Sequence, residues 1–213
     1  MVYPVWRIIL WPWYRLWIRK VEGLENIPKN EPFIITLNHS SYYDIVLAYG
    51  TVALTANKKL HSLVNSRYWE NSVTATILNH GECIPVYVDE GKKSESKNEE
   101  ALKKALIYLK KGELVKIFPE GRISIDGNLQ KGKTGAAKLA IEANVPVLPI
   151  GLINTDKVLP RGKFFPRFRR CDIKIGKPLH FNYAKNPDEK VIEATTSKIM
   201  KEIAKLTNKT YNY

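Results

Sequence analysis

Apolar residues along the chain fall into two alternating kinds of run. Short apolar stretches rich in β-branched and aromatic residues read as buried strands: PFIITLN (32–38), CIPVYV (83–88), ELVKIFP (113–119), VPVLPIGLI (145–153) and CDIKIGKPL (171–179), with HSLVN (61–65) as a weaker sixth. Between them lie stretches with helical spacing: SYYDIVLAYG (41–50), RYWENSVTATILNHG (67–81), SKNEEALKKALIYLKKG (96–112), GAAKLAIEA (135–143) and a lysine-rich helix from about Asp188 to Leu206. In the third of these, Leu102, Leu106 and Leu109 share one face and Gly112 supplies the stop. Strands alternating with helices predict an α/β fold, a mixed, largely parallel sheet flanked by helices. The polar run DEGKKSESKNEE (89–100) is expected to be a mobile surface loop.

The first twenty residues break this rhythm. MVYPVWRIILWPWYRLWIRK carries four of the five tryptophans, Trp6, Trp11, Trp13 and Trp17, and the arginines Arg7, Arg15 and Arg19. Arg7 and Arg15 interrupt the apolar run and Pro12 bends it, so it is a poor membrane span, which needs roughly 20 mostly apolar residues. On helical spacing the arginines fall near one face and the apolar residues largely opposite. Tryptophan favours the headgroup level and arginine pairs with lipid phosphate. The expected organisation is an amphipathic helical arm over residues 1–20, lying in a membrane interface, then one α/β domain over residues 21–213. An amphipathic helix packed on its own domain is the plainer alternative.

Composition narrows the partners. In 213 residues, 34 Lys and Arg face 21 acids, a formal charge of +13. That balance attracts polyanions: an anionic membrane face, phosphorylated substrates or nucleic acid. Aromatic residues concentrate in the arm rather than among scattered basic patches, so nucleic acid is not the expected partner. A non-catalytic basic binder of lipid or nucleic acid is the alternative that charge alone allows. Two cysteines, Cys83 and Cys171, with no C-x-x-C and four scattered histidines, argue against a disulfide scaffold and a structural zinc site. No metal is expected, and a reducing, cytoplasmic-side location is.

Three stretches carry candidate chemistry. GNLQKGKT (127–134) matches G-x-x-x-x-G-K-[ST], but a phosphate-binding loop of that kind needs a strand directly before its first glycine. The apolar run ends near Pro119, so a basic turn feeding a helix is the expected structure. In LNHSSYYDI (37–45), Ser41 and Asp44 fit a helix capping box with no function attached. His39 is left over, at a strand end where open α/β sheets bind ligands. With Asp44 fixing its tautomer, His39 suits abstraction of a proton from a substrate hydroxyl. FPEGRISIDG (118–127) ends another strand, and places Arg122 where a guanidinium can take a phosphate. A charged surface turn is the bland reading of the same residues.

NHSSYYD, followed by FPEGRIS and then VPVLPIGL, resembles the glycerolipid acyltransferase family, whose best-known members are the 1-acyl-sn-glycerol-3-phosphate acyltransferases. The similarity covers roughly Val21 to Leu179. The resemblance implies that His39 deprotonates an acceptor hydroxyl, that Asp44 orients His39, and that Glu120, Gly121 and Arg122 hold a phosphorylated acceptor, with Lys133 assisting. It implies acyl-CoA or acyl carrier protein as acyl donor, no further cofactor, a lysophospholipid acceptor and a membrane-associated enzyme. The chain departs from the family pattern in two places. Arg122 directly follows F-P-E-G, with Ile123 in the usual arginine place. Val86 and Tyr87 stand where the middle motif usually has Asp-Arg, leaving any basic partner there to Lys92 or Lys93.

Overall fold

The computed structural model describes residues 15–88, 92–163 and 165–213, together with Ile8 and Pro12. Of the arm, therefore, residues 1–7, 9–11, 13 and 14 lie outside the described residues, as do the side chains of Lys92 and Lys93.

Among the described residues, seven strands form one sheet: β1 (Ile18–Glu22), β2 (Ile34–Leu37), β3 (Leu60–Asn65), β4 (Ile84–Val86), β5 (Leu114–Ile117), β6 (Val147–Ile153) and β7 (Cys171–Ile175), in spatial order β1-β7-β6-β2-β5-β3-β4. Strands β2 to β6 are mutually parallel, and β7 runs antiparallel to β6 with β1 parallel to β7. The sheet is thus mixed and largely parallel, as the alternation of runs predicts.

The central strands are largely apolar on both faces, because helices cover both. Ile34, Val115 and Val147 point into one core with α3 (Lys92–Lys110), α4 (Gly135–Ala143) and α6 (Glu189–Thr207). Their chain neighbours Ile35, Leu114 and Leu148 point into the other, against α1 (Tyr43–Ala48) and the π turn Tyr49–Ala53 that extends it. α2 (Ser72–His80) buries no side chain and is capped by Asn71, whose side chain accepts from Val73 N–H and Thr74 N–H. α5 (Thr155–Val158) is a single turn after β6.

Two expectations are corrected. The helical arm does not extend to residue 20: Ile18–Glu22 is an edge strand in register with β7. Arg19, read as part of a lipid-facing basic face, pairs instead with Asp172 on β7. Trp17 is half-buried, and its indole N–H donates to Arg167 O at 3.0 Å. The partner strand lies some 150 positions away, which local periodicity cannot see. The other correction is the polar run 89–100, whose part from Lys92 onward is the first half of α3. It lacks Gly and Pro after residue 91, and Asn98 stitches it to the end of β4 through both main-chain groups of Tyr87, each at 2.8 Å.

Candidate active site

The parallel strands β2 and β5 are neighbours, and their carboxyl ends release NHSSYYD and FPEGR side by side. His39 Nδ1 lies 2.9 Å from Asp44 Oδ2. The same oxygen accepts from the main-chain N–H of Ser40 at 2.7 Å and of Ser41 at 2.8 Å. Asp44 is fully buried. Three donors on one oxygen hold the carboxylate in place, so the Nδ1–H tautomer is fixed and Nε2 is left as the basic nitrogen. Nε2 makes no hydrogen bond among the described residues. Ser41 Oγ accepts from Tyr43 N–H at 3.0 Å and donates to Leu159 O. The capping geometry and the dyad are therefore one arrangement, with Asp44 serving both.

The second stretch clamps the first. Glu120 is buried; its Oε1 accepts from His39 N–H at 2.8 Å and its Oε2 from Gln130 N–H at 2.7 Å. His39 O accepts from Ser124 N–H at 2.7 Å. The Phe118 ring stacks on the imidazole, with centroids 3.7 Å apart and planes 12° from parallel. Burial raises the Glu120 carboxyl to about 7, against the pull of its two main-chain hydrogen bonds. Glu120, expected to touch the acceptor, accepts a main-chain N–H at each oxygen and so ties His39 to Gln130.

Gly121 has φ +71°, a left-handed turn, and a Cβ there would lie 2.9 Å from Lys133 Cε. Lys133 thus lies across the FPEGR turn, its main chain fixed by Lys133 N–H to Pro119 O at 2.7 Å. Lys133 and Arg122 are both exposed, beside the buried dyad. They are the two cations of the expected set available to an anionic acceptor. Residues 118–134 form irregular turns with no strand leading into Gly127, which excludes the nucleotide-loop reading of GNLQKGKT.

Sequence reasoning missed three supports. Asn38 clamps β6 through Leu152, its side chain accepting at 2.8 Å and donating at 2.9 Å. Ser40 Oγ meets Thr155 Oγ1 at 3.0 Å. Lys116, fully buried on β5, holds its ammonium 5.1 Å from the Phe118 ring, on the side of the sheet that carries α1. It has no hydrogen-bond partner among the described residues, and burial drives it down to about 8. Asn38 stood in the motif unassigned; nothing local marked Phe118 or Lys116.

Among the described residues, one group could hold a metal ion: His61, Glu82 and Glu113, whose ligand atoms all lie within 4.8 Å of one another. It sits at the opposite, amino edge of the sheet, and His61 Nε2 is already 2.8 Å from Glu113 Oε2.

The model of the family described as Acyltransferase matches residues 18–153. The chain is 29% identical over 176 residues to a chloroplastic 1-acyl-sn-glycerol-3-phosphate acyltransferase of Arabidopsis thaliana, covering 81% of this chain and 46% of that protein, so it spans under half the plant relative. It is 27% identical over 193 residues to the 1-acyl-sn-glycerol-3-phosphate acyltransferase of Bacillus subtilis, covering 89% and 88%. The crystal structure of the 1-acyl-sn-glycerophosphate acyltransferase PlsC from Thermotoga maritima superposes with a TM-score of 0.67 at 25% identity, over 95% of this chain and 77% of that one.

Proposed function

The chain belongs to the acyltransferase family, and from that premise we propose that it moves a fatty acyl group from acyl-CoA or acyl carrier protein to the free hydroxyl of lysophosphatidate (1-acyl-sn-glycerol 3-phosphate), forming phosphatidate. The observation that carries this reading is the buried His39–Asp44 pair, held at 2.9 Å, with the His39 main chain gripped at its N–H by Glu120 and at its carbonyl by Ser124.

His39 Nε2 takes the proton of the acceptor hydroxyl as its oxygen attacks the thioester carbonyl. Asp44 stabilises the imidazolium that forms without itself taking the proton. The tetrahedral adduct collapses, the C–S bond breaks, and the imidazolium returns its proton to the departing thiolate. Arg122 and Lys133 supply the positive field for the acceptor phosphate. A guanidinium and an ammonium beside a neutral base suit a phosphorylated alcohol better than an uncharged one. The arm would hold the enzyme at a membrane surface on the cytoplasmic face, where acceptor and product reside. No helix among the described residues is long and apolar enough to cross a membrane.

One observation supports a second acceptor in the same class. Val86 and Tyr87 stand in place of the family's acid and base, and the Tyr87 main chain is tied to Asn98, so the phosphate contacts differ from the usual set. Glycerol 3-phosphate or another lysophospholipid is then the alternative. Purified full-length protein in detergent, offered acyl-CoA and acyl carrier protein against each acceptor, separates them by mass spectrometry of the product. Phosphatidate formation that disappears in His39→Ala is the expected result. Transfer undiminished in that variant overturns the dyad assignment.

A further inference from the structure

One basic, aromatic stretch plays no part in the proposed chemistry. Between Asp156 and Asp172 the chain carries no acid, but six basic residues: Lys157, Arg161, Lys163, Arg167, Arg169 and Arg170. All six are exposed. Phe165 and Phe168 lie among them, 85% and 103% exposed. A phenylalanine turned fully to water forgoes the stabilisation that burying its ring would bring. Two of them alternating with arginines call for a partner that covers them.

Topology says where this stretch points. It joins the carboxyl end of β6 to the start of β7, and β7 is antiparallel to β6, so it lies on the same sheet edge as His39. β1 runs parallel to β7 and begins beside its start, Ile18 opposite Cys171, so the arm enters at this edge too. Hydrogen bonds tie the three together. Ser41 Oγ donates to Leu159 O, Arg167 N–H to Val158 O, Trp17 Nε1–H to Arg167 O, and Cys171 N–H to Trp17 O. The main chain is pinned to the body of the protein while its basic side chains, Phe165 and Phe168 face outward.

We propose that residues 159–163 and 165–170 form a membrane-docking surface for an anionic lipid bilayer, which sets the carboxyl edge of the sheet, and so His39, against the membrane surface. Arginines meet the lipid phosphates while Phe165 and Phe168 enter the headgroup–acyl boundary. Charge alone would equally fit an acidic protein or a nucleic acid. The protruding rings favour a lipid surface, since they project singly from a loop into which a fluid bilayer can fold. The inference rests on the lipid acceptor proposed above, but its readout does not require activity.

Flotation of the full-length protein tests it, on vesicles of phosphatidylcholine alone and of phosphatidylcholine with phosphatidylglycerol. Arg169→Gln and Arg170→Gln each weaken binding to the anionic vesicles by about fivefold, from the attraction one basic side chain feels at such a surface, and flatten its salt dependence. Phe165→Ser with Phe168→Ser weakens binding to both vesicle types. Turnover of detergent-dispersed lysophosphatidate stays at the wild-type level in all these variants. Vesicle binding that matches wild type in every variant overturns the docking loop, as does a loss confined to binding of acyl carrier protein or RNA. If the wild type transfers no acyl group to any acceptor, the catalytic reading fails while the vesicle result still stands.

Discussion

The protein holds two buried histidines built almost alike. His39 stacks on Phe118 and pairs with Asp44 at 2.9 Å; His61 stacks on Tyr108, with ring centroids 3.5 Å apart, and pairs with Glu113 at 2.8 Å. Each aromatic partner has a lysine ammonium near its ring, Lys116 at 5.1 Å from Phe118 and Lys111 at 5.6 Å from Tyr108. A carboxylate–imidazole pair is therefore not what makes a site. Two differences separate them. His61 lies at the amino edge, and its second nitrogen is spent on Glu82 O at 3.2 Å, whereas His39 lies at the carboxyl edge with Nε2 uncommitted among the described residues. The main chain of His39 is also held at both its N–H and its carbonyl by the neighbouring strand end. Position and a free nitrogen are what set His39 apart from a ring held on both sides.

Removing the free nitrogen tests the comparison hardest. His39→Ala is expected to lower kcat/KM by roughly 10³- to 10⁴-fold, the span for losing a positioned general base together with its partner's effect. Initial rates of phosphatidate formation measure it, with the circular dichroism spectrum showing the fold retained. The next largest effect is Asp44→Asn. The amide oxygen can still accept from Ser40, Ser41 and His39 while its NH2 takes the buried Oδ1 place, which has no partner. Geometry then survives and the countercharge does not, so a loss of about 10²-fold or more is expected in kcat. Activity near wild type would mean that His39 needs only orientation, as His61 does.

The strands and the dyad were legible because their signals are local. A buried strand announces itself within seven residues, and His39 and Asp44 lie five apart in one stretch. What joins distant stretches was not. The Glu120 contact to His39 N–H spans 81 positions, and β1 pairs with β7 over a still longer separation, Ile18 opposite Cys171. Nothing in IRKVE distinguishes an edge strand from the end of an amphipathic arm until Asp172 is placed opposite Arg19. Polarity misled in the run 89–100, since a helix whose first half faces water shows little apolar face to read. HSLVN and LNHSS each offered a histidine in or beside a strand; only the structure shows that they lie at opposite edges of the sheet.

Lys116 and Lys111 sharpen the contrast one step back from each ring. Burial lowers the Lys116 ammonium from 10.5 to about 8, with Cys83 and Asp44 pulling weakly the other way. Its folded value lies below its unfolded one, so the charged form opposes folding. That cost is complete below pH 8 and fades as pH rises toward 10.5. Its ceiling is about 3 kcal/mol. Lys116→Met fills the same space without a charge, so the variant is expected to be more stable than wild type at neutral pH, with the gap closing in alkaline buffer. Urea denaturation across that range measures it. Lys111→Met, at an exposed position, shows no such gap.

The smallest effect on catalysis belongs to His61, and it separates the two histidines most directly. His61 is 1% exposed and ties the start of β3 to Glu113, just before β5, and to the Glu82 carbonyl, just before β4. His61→Ala removes both hydrogen bonds and the stack on Tyr108, and leaves a gap in the core face. A loss of about 2 kcal/mol of stability is the expected size for such a truncation. The carboxyl edge is untouched, so kcat and KM of the folded variant stay at wild-type values when measured well below its midpoint of unfolding. Chemical denaturation and initial rates on the same preparation give both numbers. A fall in kcat with stability preserved would place His61 in the chemistry and erase the distinction between the two edges. The expected pair of results, stability lost and turnover kept, assigns the same imidazole–carboxylate unit a structural role at one end of the sheet and a catalytic one at the other.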